Sequence, residues 1–225
     1  MKREGQFLPH ADSRLLDGLE EKERKPASAI LESCSAQFLP AGSRRPVRDP
    51  GRAEALIVES GFLVIRALSR SVRQVVVAEA GPGSILLPPG DHEHLNALTD
   101  SSVTVLPLDS LEGLLAIPGV ARTLFRGLET ALRLRQDALS YLAYVRHVDR
   151  VRWKLVQLAR EFGRVHPDGI RLEFPITHDL LAEMVASARE TVTRAVDELE
   201  RDGFVVRESH FYRLLVSPQA LEISD

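Results

Sequence analysis

Residues 175–206, PITHDLLAEMVASARETVTRAVDELERDGFVV, leave fewer folding options than any other part of this 225-residue chain. Thr177 is placed to cap a short helix, and Asp179 falls in its first turn, where the helix dipole favours an anion. The pattern predicts that this helix runs to about Met184 and breaks at Val185-Ala186. Ser187 then opens a second helix, since Ser187 and Glu190 have the S-x-x-E spacing of a capping box. Val192, Ala195, Val196 and Leu199 recur with helical period, and Asp202-Gly203 stops the run. Two helices joined by three or four residues predict a helix-turn-helix, whose second helix is available to a DNA major groove.

The polar face of that second helix separates it from an ordinary helical hairpin. Arg189, Glu190, Thr193 and Arg194 lie on or near its first two turns. An arginine can grip the O6/N7 edge of guanine with two donors, and a carboxylate can accept from cytosine N4. The competing reading is a solvated face with a Glu190–Arg194 ion pair one turn apart. The flanks favour base reading. Ile176, Thr177, Leu181, Ala182, Val185, Arg189, Glu190, Thr191, Val192, Arg194, Val196, Leu199 and Glu200 together resemble the DNA-binding segment of the cAMP receptor protein (Crp/Fnr) family. That resemblance implies a sequence-specific transcription regulator reading TGTGA-like half-sites of an inverted repeat. Arg189 and Arg194 would contact guanines and Glu190 a cytosine, while Thr177, Ser187 and Thr191 would touch phosphates.

Composition removes several alternatives. Cys34 is the only cysteine, so no internal disulfide, Cys-rich zinc site or four-cysteine iron–sulfur cluster can form. No apolar run approaches a membrane span and the N-terminus lacks a signal-peptide core, so a cytoplasmic location without a membrane partner is expected. Charge gives no support to nucleic-acid binding: the formal net charge is −3, and residues 148–225 hold 11 Lys+Arg against 14 Asp+Glu. A DNA-binding role must rest on where the arginines sit. No catalytic constellation is evident: Ser187 has no nucleophile elbow, and there is no Gly-rich phosphate loop.

Upstream, residues 1–35 are charged and helix-prone, with Leu15, Leu16 and Leu19 at helical spacing and Pro26 expected to break the EEKERK run. From Gln37 short apolar strands alternate with turns, and Gly61 divides Ala55–Ser60 from Phe62–Leu68 like a hairpin. Residues 36–110 thus predict a small antiparallel barrel or roll, which in layout resembles the family's cyclic-nucleotide-binding domain. The family's pocket holds the cyclic phosphate with a Gly-Glu-Leu stretch and a later Arg-Ser. Here Leu86-Leu87-Pro88-Pro89-Gly90 and Glu93-His94 stand in that region. Prolines remove N–H donors, and a carboxylate repels a phosphate. No cofactor is expected, and cAMP and cGMP are rejected as effectors. Asp91-His92-Glu93-His94 offers four potential metal ligands, but on a strand the two histidines face away from the two acids, and a polar loop is the simpler reading.

Pro118 suits the first turn of a long helix ending near Arg146. Ala121, Leu124, Leu128, Ala131, Arg135, Ala138, Leu142 and Val145 alternate at three and four, as in a coiled-coil seam. Phe125, Leu132 and Leu139 form an adjoining stripe expected to pack on the roll. A homodimer through the seam follows, in agreement with the resemblance. Asp149 is expected to cap the next helix, and FVVRESHFYRLLV to form a two-stranded wing. The expected class is α+β, in four parts. They are an N-terminal helical segment (1–35), a β-roll (36–117), a dimerisation helix (118–147) and a winged helix-turn-helix (148–225), with RNA polymerase a further candidate partner. The alternative is a β-roll sensor of a metal, haem or small metabolite whose helix-turn-helix serves protein contacts.

Overall fold

The computed structural model describes residues 13–45, 55–68, 74–87, 89–90, 92–141 and 146–217. They divide into two units, one drawn from residues 1–67 and 78–134, the other from 68–77 and 135–225. The first unit opens with a 3-10 turn at Arg14–Leu16 and helix α1 (Glu21–Glu32). Pro26 does not break α1 but lies inside it. A proline in a helix interior costs about 3 kcal/mol. Here Ala27 and Leu31, on the same short helix, are fully buried, and that packing holds the turn together.

Eight strands follow: β1 (Ser35–Leu39), β2 (Arg44–Arg45), β3 (Ala55–Ser60), β4 (Leu63–Leu68), β5 (Gln74–Ala80), β6 (Ile85–Leu86), β7 (Glu93–Ala97) and β8 (Ser101–Leu106). They form two sheets of strand order β1-β8-β3-β6 and β2-β7-β4-β5. The expected hairpin at Gly61 is therefore absent. β3 pairs with β6 and β8, whereas β4 pairs with β7 in the other sheet. Gly61, at φ +84°, turns the chain from one sheet to the other, and a Cβ there would lie 2.6 Å from Ser101 Cα. Glycine is required on both counts.

Between Val58 and Ser60 the β3–β8 register slips, leaving Glu59 as the extra residue of a bulge. Its carboxylate accepts from Thr104 Oγ1 at 2.7 Å, Ser13 Oγ at 2.8 Å and the Arg14 amide at 3.3 Å. The bulge thereby fastens the N-terminal turn to the sheet. Over this sheet Leu15, Leu16, Leu31, Ile57, Leu106 and Leu114 share one core with Val120 and Leu124.

Helix α2 (Leu108–Leu115) leads into α3 (Pro118–Tyr141), which Pro118 opens as expected. The two apolar stripes of α3 do not divide as the sequence suggested. Leu124, assigned to the seam, is 3% exposed and belongs to the roll's core. Gly127, one turn on, lies so close to Ile85 that a Cβ would stand 2.6 Å from Ile85 Cδ1. Phe125, Leu132 and Leu139, expected on the roll, are instead 70%, 58% and 70% exposed, and Leu128 is 43% exposed. The exposed stripe is thus 125, 128, 132, 139, spaced three, four and seven apart, which keeps it on one side of the helix. Ala131 and Ala138 are half-buried, and Leu142 and Val145 lie outside the described residues.

In the second unit α4 (His147–Phe162) starts after Arg146, so Asp149 sits in its first turn and does not cap it. The hairpin β9 (Gly163–His166) and β10 (Gly169–Leu172) turns at Pro167-Asp168. Next come α5 (His178–Met184), α6 (Arg189–Arg201) and the wing strands β11 (Val205–Glu208) and β12 (Phe211–Leu214), in a sheet ordered β11-β12-β10-β9. Val151, Leu155 and Leu158 of α4, Leu181 of α5, Val192, Val196 and Leu199 of α6, and Tyr212 and Leu214 of the wing are all buried. The tail beyond Ser217 lies outside the described residues.

Candidate nucleic-acid interface

Thr177 caps α5 as expected, its Oγ1 accepting from the Leu180 amide at 3.1 Å. The turn to α6 passes through Ala186 at φ +49°, an uncommon conformation for a residue other than glycine. Ser187 does not cap α6. The cap position is Ala188, with no side-chain bond to the helix. Ser187 Oγ lies instead 3.0 Å from His147 Nδ1 at the start of α4. The S-x-x-E spacing is present but sits one residue too early, so Glu190 enters the first turn without a capping partner. At its other end α6 closes with Phe204 N bonding Leu199 O at 2.9 Å and Gly203 N bonding Glu200 O at 3.1 Å. That is a Schellman pair around Gly203 at φ +68°, and the stop expected at Asp202-Gly203 is met.

Helix α6 is strongly two-sided. Val192, Ala195, Val196 and Leu199 are buried, and Arg189, Glu190 and Arg194 are exposed together on its first two turns. No Glu190–Arg194 ion pair forms among the described residues. Arg189 pairs across to Asp179 of α5, Nη1 to Oδ2 at 3.5 Å, with both side chains more than half exposed. Such a pair is worth little in water and gives way readily to a stronger partner. Thr191 is half-buried on the same turn.

Behind this face α6 is held from several sides. Arg146 reaches Glu198 at 2.9 Å, and the Arg152 guanidinium lies 4.4 Å above the Phe204 ring. His178 bridges Thr193 of α6 at 2.8 Å and Arg207 of β11 at 2.6 Å. The spacing of the histidines in the sequence predicts neither of these roles for His147 and His178. Their partners are 40 and 15 residues away, and no local spacing reports such pairs.

In the roll, Glu93 is also differently employed than a pocket residue. Its Oε2 accepts from the Gly90 amide at 2.8 Å, and the carboxylate closes the turn that leads into β7. Among the described residues no group of three or more His, Cys, Asp or Glu is gathered to hold a metal ion; Asp91 lies outside them. No described helix is long and apolar enough to cross a membrane.

A helix-turn-helix with a two-stranded wing, preceded in the chain by an antiparallel β-roll and a long helix, defines a two-part architecture. Residues 149–222 match the Crp-like helix-turn-helix domain. A global nitrogen regulator of Synechocystis sp. is 30% identical over 114 residues, 50% of this chain and 50% of its own length. A CRP-like cAMP-activated global transcriptional regulator of Mycobacterium tuberculosis is 25% identical over 164 residues, 70% of this chain and 73% of its own. Among solved structures, a CooA mutant from Carboxydothermus hydrogenoformans superposes with a TM-score of 0.71 at 20% identity, covering 86% of this chain and 88% of that one. That likeness is one of fold. The chain spans about half the length of the global nitrogen regulators it matches, of Synechocystis sp. and Synechococcus elongatus. Residues 149–222 are thus a Crp-like helix-turn-helix domain, and the relatives that the chain resembles are named as transcriptional regulators.

Proposed function

We propose that this chain is a homodimeric, sequence-specific DNA-binding transcription regulator of the cytoplasm, and that α6 reads base edges in the major groove. The observation that carries this is the two-sided α6, with two arginines and a glutamate exposed together on its first two turns while its other side is locked in the core. Arg189 and Arg194 contact guanines, and Glu190 accepts from a cytosine on the opposite strand. Thr177, Ser187 and Thr191 lie near the helix starts and contact phosphates, which orients α6 without specifying sequence. A dimer recognises an inverted repeat whose half-site centres are ~34 Å apart. RNA polymerase is the further partner such a regulator acts on.

Selection of bound sequences from a random DNA pool tests the reading. The expected result is an inverted repeat with TGTGA-like halves. Arg189→Ala or Arg194→Ala should cost roughly 1–3 kcal/mol on the selected site and little on random DNA. Failure of any inverted repeat to emerge, or an unchanged motif from the Arg189→Ala protein, would remove α6 from base reading.

A further inference from the structure

His178 opens α5 and is half-buried, with α6 on one side and the wing on the other. Its Nε2 lies 2.6 Å from Arg207 Nη1, and its Nδ1 lies 2.8 Å from Thr193 Oγ1. A guanidinium only donates, so Nε2 must accept. The single proton of the neutral imidazole is then on Nδ1, donated to Thr193. Thr193 in turn donates its own hydroxyl proton to the Arg189 carbonyl at 3.0 Å. The donors run in one direction, from Arg207 through His178 and Thr193 to the backbone of Arg189. Only a neutral imidazole completes the series.

We propose that His178 is a positioning residue whose neutral Nδ1–H tautomer ties the recognition helix α6 to the wing strand β11, and that protonation releases the tie and weakens sequence-specific DNA binding. This rests on the DNA-binding reading given above. The tie ends at Arg189, the first residue of α6 and one of its base readers, so slack in it is felt where the helix meets DNA.

The groups facing His178 are Arg207 on β11 and Arg189, Asp197 and Glu200 on α6. Asp179, on its own helix, is engaged by Arg189. Tyr212 on β12 stays neutral, because burial pushes its phenol up to about 12. Burial, then the Arg207 cation, holds His178 below the usual histidine value, with Asp197 and Glu200 opposing. A depressed value means that the unfolded chain takes up the proton first. The stability His178 contributes is therefore complete above about pH 6.5, and it is lost as the pH falls from there through the folded value.

DNA phosphates would draw the opposite response if His178 acted as a cation on the backbone, so the sign of the pH effect is decisive. The test uses the full chain and two measurements. Without DNA, imidazole 15N shifts should show the Nδ1–H tautomer at neutral pH. With the selected inverted repeat, binding is titrated from about pH 7.5 to about pH 5.5 for the wild type, His178→Gln and Thr193→Val. Glutamine can accept from Arg207 and donate to Thr193 without titrating. The wild type should lose at least about threefold more affinity on acidification than His178→Gln, and Thr193→Val should bind more weakly already at neutral pH. An Nε2–H tautomer, equal pH slopes, or affinity that rises with acid more in the wild type than in His178→Gln would each overturn the proposal. If the wild type binds no DNA at any pH, the regulator reading fails. The tautomer and the acid-induced fall in melting temperature, wild type against His178→Gln, then still decide the tie. Should the glutamine variant not fold, the wild-type tautomer and the Thr193→Val titration carry the test.

Discussion

Thr177 illustrates how a single side chain can serve two ends. Its hydroxyl satisfies the Leu180 amide, one of the unpaired donors at the start of α5, and in the proposed complex it also faces a phosphate. Thr177→Ala should cost about 1 kcal/mol of stability through the lost cap, visible as a lower melting temperature. It should weaken selected and random DNA by similar factors. A loss confined to the selected site would give Thr177 a part in base reading. Caps of this kind were legible in the sequence: Thr177 and the Asp202-Gly203 stop depend on residues within a turn of each other. Ser187 was not legible. Its hydroxyl goes to His147, and only the fold decides that the S-x-x-E spacing is left unused.

At the scale of elements, α3 shows where a periodic pattern becomes ambiguous. Its apolar residues form two neighbouring stripes, and helical spacing alone does not tell which one meets the roll. The decision comes from Gly127, which admits Ile85, and from Leu124 beside it. Replacing Leu124 with Ala should therefore destabilise the roll by roughly 2–5 kcal/mol without changing the oligomeric state. If the proposed homodimer forms instead through the exposed stripe of α3, Leu132→Glu combined with Leu139→Glu should do the reverse, placing charges in that interface and giving monomers by light scattering at nearly unchanged roll stability. A double variant that stays dimeric would move the interface off this stripe. The strands were legible as strands, yet β3 and β4 were joined into the wrong pair. A glycine between two apolar runs marks a turn equally well whether the chain folds back or crosses to a second sheet.

For the whole molecule, the net charge of −3 means that the proposed DNA binding must depend on a few placed arginines and not on a general attraction. The roll's departure from the Crp/Fnr nucleotide pocket that its layout resembles bears on the proposed function. With Glu93 closing the turn at Gly90, cAMP at about millimolar concentration should leave the melting temperature unchanged, since a ligand that binds the native state must raise it. A clear upward shift would return cAMP to the list of effectors.

The pairing of the roll also sets an order of events during synthesis. β8, the partner of both β1 and β3, is the last of the eight strands to be made. Until Leu106 leaves the ribosome, β1 and β3 each wait with an unsatisfied edge, and Glu59 lacks the Thr104 hydroxyl that helps seat Ser13. Closing such a long loop is slow compared with the local contacts of the β9–β10 hairpin. Nascent chains halted near residue 100 should thus be cut readily by protease within the roll, and those halted with α3 fully outside the tunnel should resist. The first half of this protein is committed to being translated before it can fold.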